Sequence, residues 1–248
     1  MEGGSPARPA VGGGAVSLLD PLDLGPRRAP NRVLFGPHET NLGHGRAISL
    51  RHVAYYRARA EGGCGAIVAE TASVHPSDWP YERCPAAEEA AEGWAAIVAA
   101  CRPHGSLVLA GLGHAGGQGS SAYSQRELWA PSDEAEVDSR EVPKIMEQAD
   151  IDAVVAGFAR AAASAAAADL DGVELNAGQH SLIRQFLSGL TNRRDDDYGR
   201  DRTRLAREVL TATRDALGAD RVLGLRLCAD ELAPWAGITP EAAVGIAA

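Results

Sequence analysis

The stretch Asp171-Gly172-Val173-Glu174-Leu175-Asn176-Ala177-Gly178-Gln179-His180-Ser181-Leu182-Ile183-Arg184-Gln185-Phe186-Leu187-Ser188 decides how the chain is read. A short apolar strand over Gly172 to Leu175 ends in Asn176, and polar groups follow at Gln179, His180 and Ser181. In parallel α/β folds, ligands bind at this carboxyl edge, where side chains leave the core. Amides donate hydrogen bonds at any physiological pH, which suits Asn176 and Gln179 to holding a carbonyl oxygen. Taken one at a time, each amide reads better as a turn cap.

Outward from this stretch, short apolar runs alternate with helical ones. Arg32 to Phe35 reads as the first strand, stopped by Gly36-Pro37, and Leu50 to Glu61 as a helix with Val53, Tyr56 and Ala60 on one face. Gly62-Gly63 ends that helix, and the strand Ala66 to Ala69 follows. Glu88 to Cys101 is the next helix, with Trp94, Ile97, Val98 and Cys101 as its stripe, before the strand Leu107 to Leu112. A long loop from Gly113 to Ala149 precedes a helix over Asp150 to Ala168, for which Asp150 is a natural N-cap. Beyond the Gly172 strand come a helix over Asp201 to Leu217, a strand over Val222 to Leu227, and a helix opened by Thr239-Pro240. Strict alternation implies a parallel sheet with right-handed crossovers, hence a barrel or a doubly wound fold.

Of the 248 residues, 45% are hydrophobic, enough for a sizeable core, but only 5% are aromatic, so alanine and aliphatic residues do most of the packing. A net charge of -9 argues against nucleic-acid partners, although one local arginine can still hold a small anion. No apolar run approaches the ~20 residues of a membrane span, and Met1 to Ala15 reads as a loose Gly/Pro-rich tail without a signal-peptide core. Cys64, Cys84, Cys101 and Cys228 are scattered without a CxxC, so no metal site is expected and a cytoplasmic, thiol-reduced protein is the economical reading.

Gly111-Leu112-Gly113-His114-Ala115-Gly116 matches GxGxxG after a strand, but no helix N-terminus follows to hold a pyrophosphate, so it is not a dinucleotide fingerprint. The charged run Asn192 to Gly199 reads as a salt-bridged surface loop. Arg226 lies within an apolar strand and needs an acceptor, either a neighbouring carboxylate or an electron-rich ligand at the mouth. His38, Glu70-Thr71 and His114 each follow a strand. That all these polar residues fall where strands end is the best residue-level sign of a site.

Read together, the pieces Asn31 to Pro37, Ala54-Tyr55-Tyr56, Ala58-Arg59-Ala60, His114-Ala115-Gly116, Asp171 to Glu174, Gln185 to Ser188, Asn192-Arg193-Arg194, Tyr198-Gly199 and Arg226-Leu227 resemble the old yellow enzyme family of flavin oxidoreductases, particularly its 2,4-dienoyl-CoA reductase branch. The wording of Asn176 to Ser181 also resembles a subgroup associated with mycofactocin gene clusters. The resemblance implies a TIM (β/α)8 barrel that binds FMN and passes hydride from NADH or NADPH to an unsaturated small molecule. It implies that Pro37, His38 and Glu39 border the flavin after strand one, and Ala69 and Glu70 after strand two, while Arg226 faces the N1–O2 edge.

The same resemblance marks departures. The family's flavin-contacting glutamine falls at Gly111, its carbonyl-holding pair at Asn176 and Gln179, and its proton-donating tyrosine at Ser181. A serine hydroxyl is a far weaker acid than a phenol of pKa about 10, so proton delivery is expected from His180, from water or from elsewhere. The chain holds about the first five βα units over residues 16–248, so a barrel truncated at its C-terminus is the expectation, with the phosphate-gripping loops and any Fe–S cysteines absent from it. A flavin carrier without turnover, an inactive fragment and a TIM-barrel lyase are the alternatives; the lyase is disfavoured because Lys144, the single lysine, lies in a loop. Homo-oligomerisation stays open.

Overall fold

The computed structural model describes residues 16–248; the expected tail over 1–15 lies outside them. Five parallel strands form one curled sheet: β1 (Leu34–Phe35), β2 (Ala66–Ser73), β3 (Leu107–Gly113), β4 (Gly172–Ala177) and β5 (Val222–Leu227). Each strand pairs with the next in sequence, and every pairing is parallel. A doubly wound sheet reverses its strand order at a switch point, so unbroken sequential order identifies the barrel arrangement instead. The sheet is the first five strands of a TIM barrel, as the sequence predicts.

Helices α1 (Leu50–Glu61), α2 (Ala91–Cys101), α3 (Gln148–Ala167), α4 (Leu182–Leu187), α5 (Arg204–Leu217) and α6 (Pro240–Ala247) link or follow the strands. The predicted stripe Trp94, Ile97, Val98 and Cys101 on α2 is buried, and the alanine run of α3 places Ala161, Ala162 and Ala165 in the same core. Small residues matter there because α3 runs close past the end of β2: a Cβ on Gly157 would stand 2.5 Å from the carbonyl of Val74, the residue just beyond that strand. Thr239 caps α6 through its side chain, with Pro240 in the first turn as expected.

Several boundaries differ from the sequence reading. Arg32 and Val33 do not join β1, because pairing with β2 begins only at Leu34. Asp150 is not the N-cap of α3: Glu147 caps it, and the Asp150 carboxylate accepts from the Glu147 backbone N–H at 2.8 Å while binding Lys144 at 2.8 Å. The helix expected from Asp201 starts at Arg204. The hairpin Leu22–Leu24 with Arg27–Ala29, helix α4, and the parallel pair Trp129–Ala130 with Lys144–Ile145 inside the long loop are added to the predicted elements. These segments are too short for a periodic pattern to reveal.

One irregularity shapes the site. In β2 both Ala69 and Ala72 belong to the core, although strict alternation would pair Ala69 with Thr71 on that face. The ladder to β3 shifts register between Ala69 and Ala72, which inserts one extra residue.

Strand contact is closest at Gly172, where a Cβ would meet the Val222 carbonyl at 2.2 Å, whereas one on Gly224 would find nothing nearer than 3.6 Å. Gly172→Ala is therefore expected to cost about 1–3 kcal/mol through overpacking. Gly224→Ala should leave the urea midpoint unchanged, and equal midpoints for the two variants would contradict this packing.

Candidate functional site

The carboxyl ends of the strands open into a cleft of about 830 Å³. Pro37, His38 and Glu39 border it after β1, Thr71 and Gly113 on β2 and β3, Asn176, Gln179 and His180 at and after β4, and Arg226 on β5. Six of the expected site residues besides Asn176 thus meet at one mouth. Ala69, Glu70, Gly111 and Ser181 do not line it.

The reasons are local. Ala69 is fully buried in the core. Gly111 is buried beneath Thr71, and a Cβ there would lie 2.7 Å from the Ala69 carbonyl, so no longer side chain fits this backbone. The β2 bulge turns Glu70 away from the cleft into a fully buried pocket. Its Oε1 accepts from the Thr40 N–H at 2.7 Å and the Tyr81 hydroxyl at 2.6 Å; its Oε2 accepts from the Thr40 hydroxyl at 2.5 Å and His52 Nε2 at 2.7 Å. His52 Nδ1 accepts from the Ser49 N–H at 3.1 Å, so the ring proton sits on Nε2, aimed at Glu70. Burial pushes the Glu70 carboxyl up, but the bonds from His52, Thr40 and Tyr81 outweigh it and hold the pKa below its ordinary value.

Ser181 is fully buried as the N-cap of α4. Its hydroxyl donates to the Asn176 carbonyl at 2.5 Å and accepts from the Arg184 N–H at 3.4 Å. With its proton committed and no exposure, it cannot protonate a ligand in the cleft. The neighbouring turn is also self-bonded: Asn176 Oδ1 accepts from the Gly178 N–H at 3.0 Å and Nδ2 donates to the Gln179 carbonyl at 3.1 Å. The turn-cap reading thus holds for Asn176, while Gln179 and His180 are exposed at the lip. His180 takes φ 51°, a left-handed conformation uncommon outside glycine, which this closed turn imposes.

Arg226 has the carboxylate partner that its place in an apolar strand demanded. Its Nε donates to Glu174 Oε1 at 2.8 Å. Nη2 reaches the end of β1, where a Cβ on Gly36 would lie only 3.2 Å away. Neither terminal nitrogen donates to another group among the described residues, so both remain available at the mouth.

On the β1 side, the Tyr55 hydroxyl and His38 Nε2 share a 2.6 Å hydrogen bond, with the Arg59 guanidinium 3.4 Å from the Tyr55 ring centre. Deeper in, His114 Nδ1 accepts from the Gly116 N–H at 3.0 Å and Nε2 bonds Ser77 Oγ at 3.0 Å; that hydroxyl also bonds His75 Nδ1 at 2.9 Å. Burial pushes both imidazoles down, His75 to about 4 with help from His114 and Arg160. Sequence reasoning passed over Glu174, Tyr81 and the Arg184–Glu231 pair at 2.9 Å, which ties α4 to the loop after β5. A carboxylate two residues before a strand's polar end was the available signal for Glu174. The charged loop after α4 is paired as expected, Arg194 holding Asp196 at 2.5 Å and the Met146 carbonyl at 2.7 Å.

A family model for the NADH:flavin oxidoreductase / NADH oxidase family matches residues 17–247. The chain belongs to this family. It is 33% identical to an NADPH dehydrogenase of Clostridium acetobutylicum over 87% of this chain and 65% of that protein. It is 31% identical to the N,N-dimethylglycine/sarcosine dehydrogenase of Chromohalobacter salexigens over 88% of this chain and 33% of that protein. Among solved structures, the old yellow enzyme homologue of Zymomonas mobilis superposes with a TM-score of 0.79 at 26% identity, covering 86% of this chain and 63% of that one. Morphinone reductase in complex with tetrahydroNAD superposes at 0.77 with 28% identity, over 86% and 64%. The chain thus spans from about a third to two thirds of these flavin oxidoreductase relatives.

Two measurements follow from the site. An unfolded histidine titrates near 6.5, so as pH falls from about 6.5 towards 4 the unfolded chain takes up protons that folded His75 and His114 refuse. Stability should decline across that window and be level from its upper end to about pH 8, below the range where unfolded cysteines ionise, and His75→Asn should shallow the decline in thermal midpoint; an unchanged slope would remove His75 from the account. Ser181→Ala should lose about 1 kcal/mol, the ordinary value of an N-cap, in urea unfolding.

Proposed function

We propose that the cleft seats the isoalloxazine of FMN and that the protein passes hydride from NADH or NADPH through it to an unsaturated carbonyl compound or a related electron-poor acceptor. The residues present fit that group. Arg226 offers two uncommitted cationic donors to an electron-rich ring edge, and Gly113 and Gly178 in the lining keep the surrounding backbone clear for a flat ligand. A Cβ on Gly178 would already touch Arg226 Cγ and Asn176 Oδ1 at 3.4 Å. When bound, FMN supplies two-electron hydride transfer between successive ligands.

The chain's own residues do the rest. Arg226 would face the N1–O2 edge and oppose negative charge there, while Pro37, His38 and Glu39 would border the ring from β1. Gln179 would donate its amide to the acceptor's carbonyl, since Asn176 is spent on closing the turn that presents it. With Ser181 buried, His180 beside Gln179 would deliver the proton. The observation that carries the reading is Arg226: a guanidinium at the barrel mouth, anchored at Nε and open at both terminal nitrogens.

The buried Ser181 hydroxyl also favours a second reading. Oxidation of a secondary or tertiary amine needs no proton donor at that position, and the relatives include the dimethylglycine/sarcosine dehydrogenase. Anaerobic reduction of the bound flavin by N-methylated amines, set against NADH and NADPH, separates the two.

The purified protein should bind FMN, show a flavin absorption spectrum and bleach anaerobically with NADH or NADPH. Arg226→Ala should weaken FMN binding at least tenfold, about 1.4 kcal/mol. Unchanged affinity and reduction rate would sink the role assigned to Arg226.

A further inference from the structure

Resting on the flavin reading of the cleft, we propose that Glu174 is a positioning residue: it sets the direction of the Arg226 guanidinium and tempers its charge. In register, Glu174 stands opposite Gly111 on β3 and Gly224 on β5. Neither neighbour has a side chain, so the Glu174 carboxylate is the one side chain in its row across these three strands. It is therefore free to lean toward the mouth, where Arg226, opposite Asn176, projects two residues further along.

The contact is made through Nε. Glu174 is only 14% exposed, while Arg226 is 42% exposed, so the acid lies beneath the base. A guanidinium is planar, and a hydrogen bond from Nε fixes that plane as well as its position. With Nε–H directed down to Glu174, Nη2 extends to the end of β1 beside Gly36. Arg226 is also the sole hydrogen-bond partner of the Glu174 side chain among the described residues. The two form an ion pair at the mouth, its acid buried and its base half-exposed; the carboxylate offsets part of the cation's field and leaves a directional donor rather than a bare cation.

Two substitutions separate direction from charge. Glu174→Gln keeps an oxygen acceptor for Nε and removes the negative charge; Glu174→Ala removes both. FMN titration should show Glu174→Gln within about threefold of wild type, and Glu174→Ala at least tenfold weaker, as for Arg226→Ala. Dye-equilibrated reduction of the holoprotein should show Glu174→Gln favouring reduced over oxidised FMN about tenfold more than wild type, a rise of about 30 mV for a two-electron couple. A merely structural role would not move that potential.

A ligand-free arm uses the Arg226 Nε–H resonance in ¹⁵N spectra, assigned by its loss in Arg226→Ala. It should be protected from solvent exchange in wild type and Glu174→Gln, and exchange rapidly in Glu174→Ala. If wild type binds no FMN, the flavin reading fails, and the exchange arm still decides whether Glu174 holds Arg226. If Glu174→Ala does not fold, Glu174→Gln carries the test through its potential. Wild-type FMN affinity and slow exchange in Glu174→Ala, or an unshifted potential in Glu174→Gln, would overturn the proposal.

Discussion

Much of the barrel mouth hangs on one buried carboxylate. Glu70 gathers donors from three separate segments: Thr40 in the loop after β1, His52 in α1 and Tyr81 in the loop after β2. Its own N–H donates to the Tyr56 hydroxyl at 2.7 Å, adding a second point on α1. A buried charge is costly unless its lone pairs are filled, and here the chain fills them with neutral donors. The charge therefore selects one arrangement of loops, since any shift of Thr40 or Tyr81 leaves part of an ionised carboxylate unpaired. Thr40 follows directly on Pro37, His38 and Glu39, so the same constraint sets the β1 wall of the cleft.

His52 shows how local helix chemistry feeds that constraint. Ser49 and His52 form a reciprocal cap at the start of α1, in which the ring accepts the Ser49 N–H. Capping thereby chooses the tautomer, and the tautomer chooses which nitrogen can donate to Glu70. A group that looks like a helix-start detail in the sequence thus acts at the barrel mouth through one ring.

The sequence made the strand–helix alternation, most helix spans and the polar edge legible, because periodicity and glycine or proline stops are local signals. It located Arg226 and posed its partner as a choice between a carboxylate and a ligand; the structure shows the first through Nε and leaves room for the second through Nη1 and Nη2. What it could not reveal depends on register. The β2 bulge moves Glu70 off the cleft and puts Thr71 there, and a single inserted residue leaves no mark in composition or spacing. The burial of Ser181, which the sequence puts among the polar groups of that edge, is hidden for a similar reason. Whether a hydroxyl after a strand faces a ligand or caps the next helix depends on α4, which is six residues long and too short to read from its pattern.

Two glutamates near the same level of the sheet meet burial in opposite ways. Glu70 on β2 is turned out of the barrel and satisfied by hydroxyls, an amide and a neutral imidazole, so its negative charge persists, fixed and shielded from the cleft by Thr71. Glu174 on β4 faces the interior between two glycines and is satisfied by a cation, so its charge is cancelled where it lies. The first arrangement rigidifies loops and the second aims a donor. Exchanging the two would fail on physical grounds: a carboxylate at the mouth without a cation would repel an electron-rich ring edge, and a guanidinium in the Glu70 pocket would face the Thr40 N–H and the His52 Nε2–H, with no carboxylate to balance its charge there. The asymmetry of partners, more than the presence of either acid, is what makes this edge of the barrel suited to an electron-rich ligand.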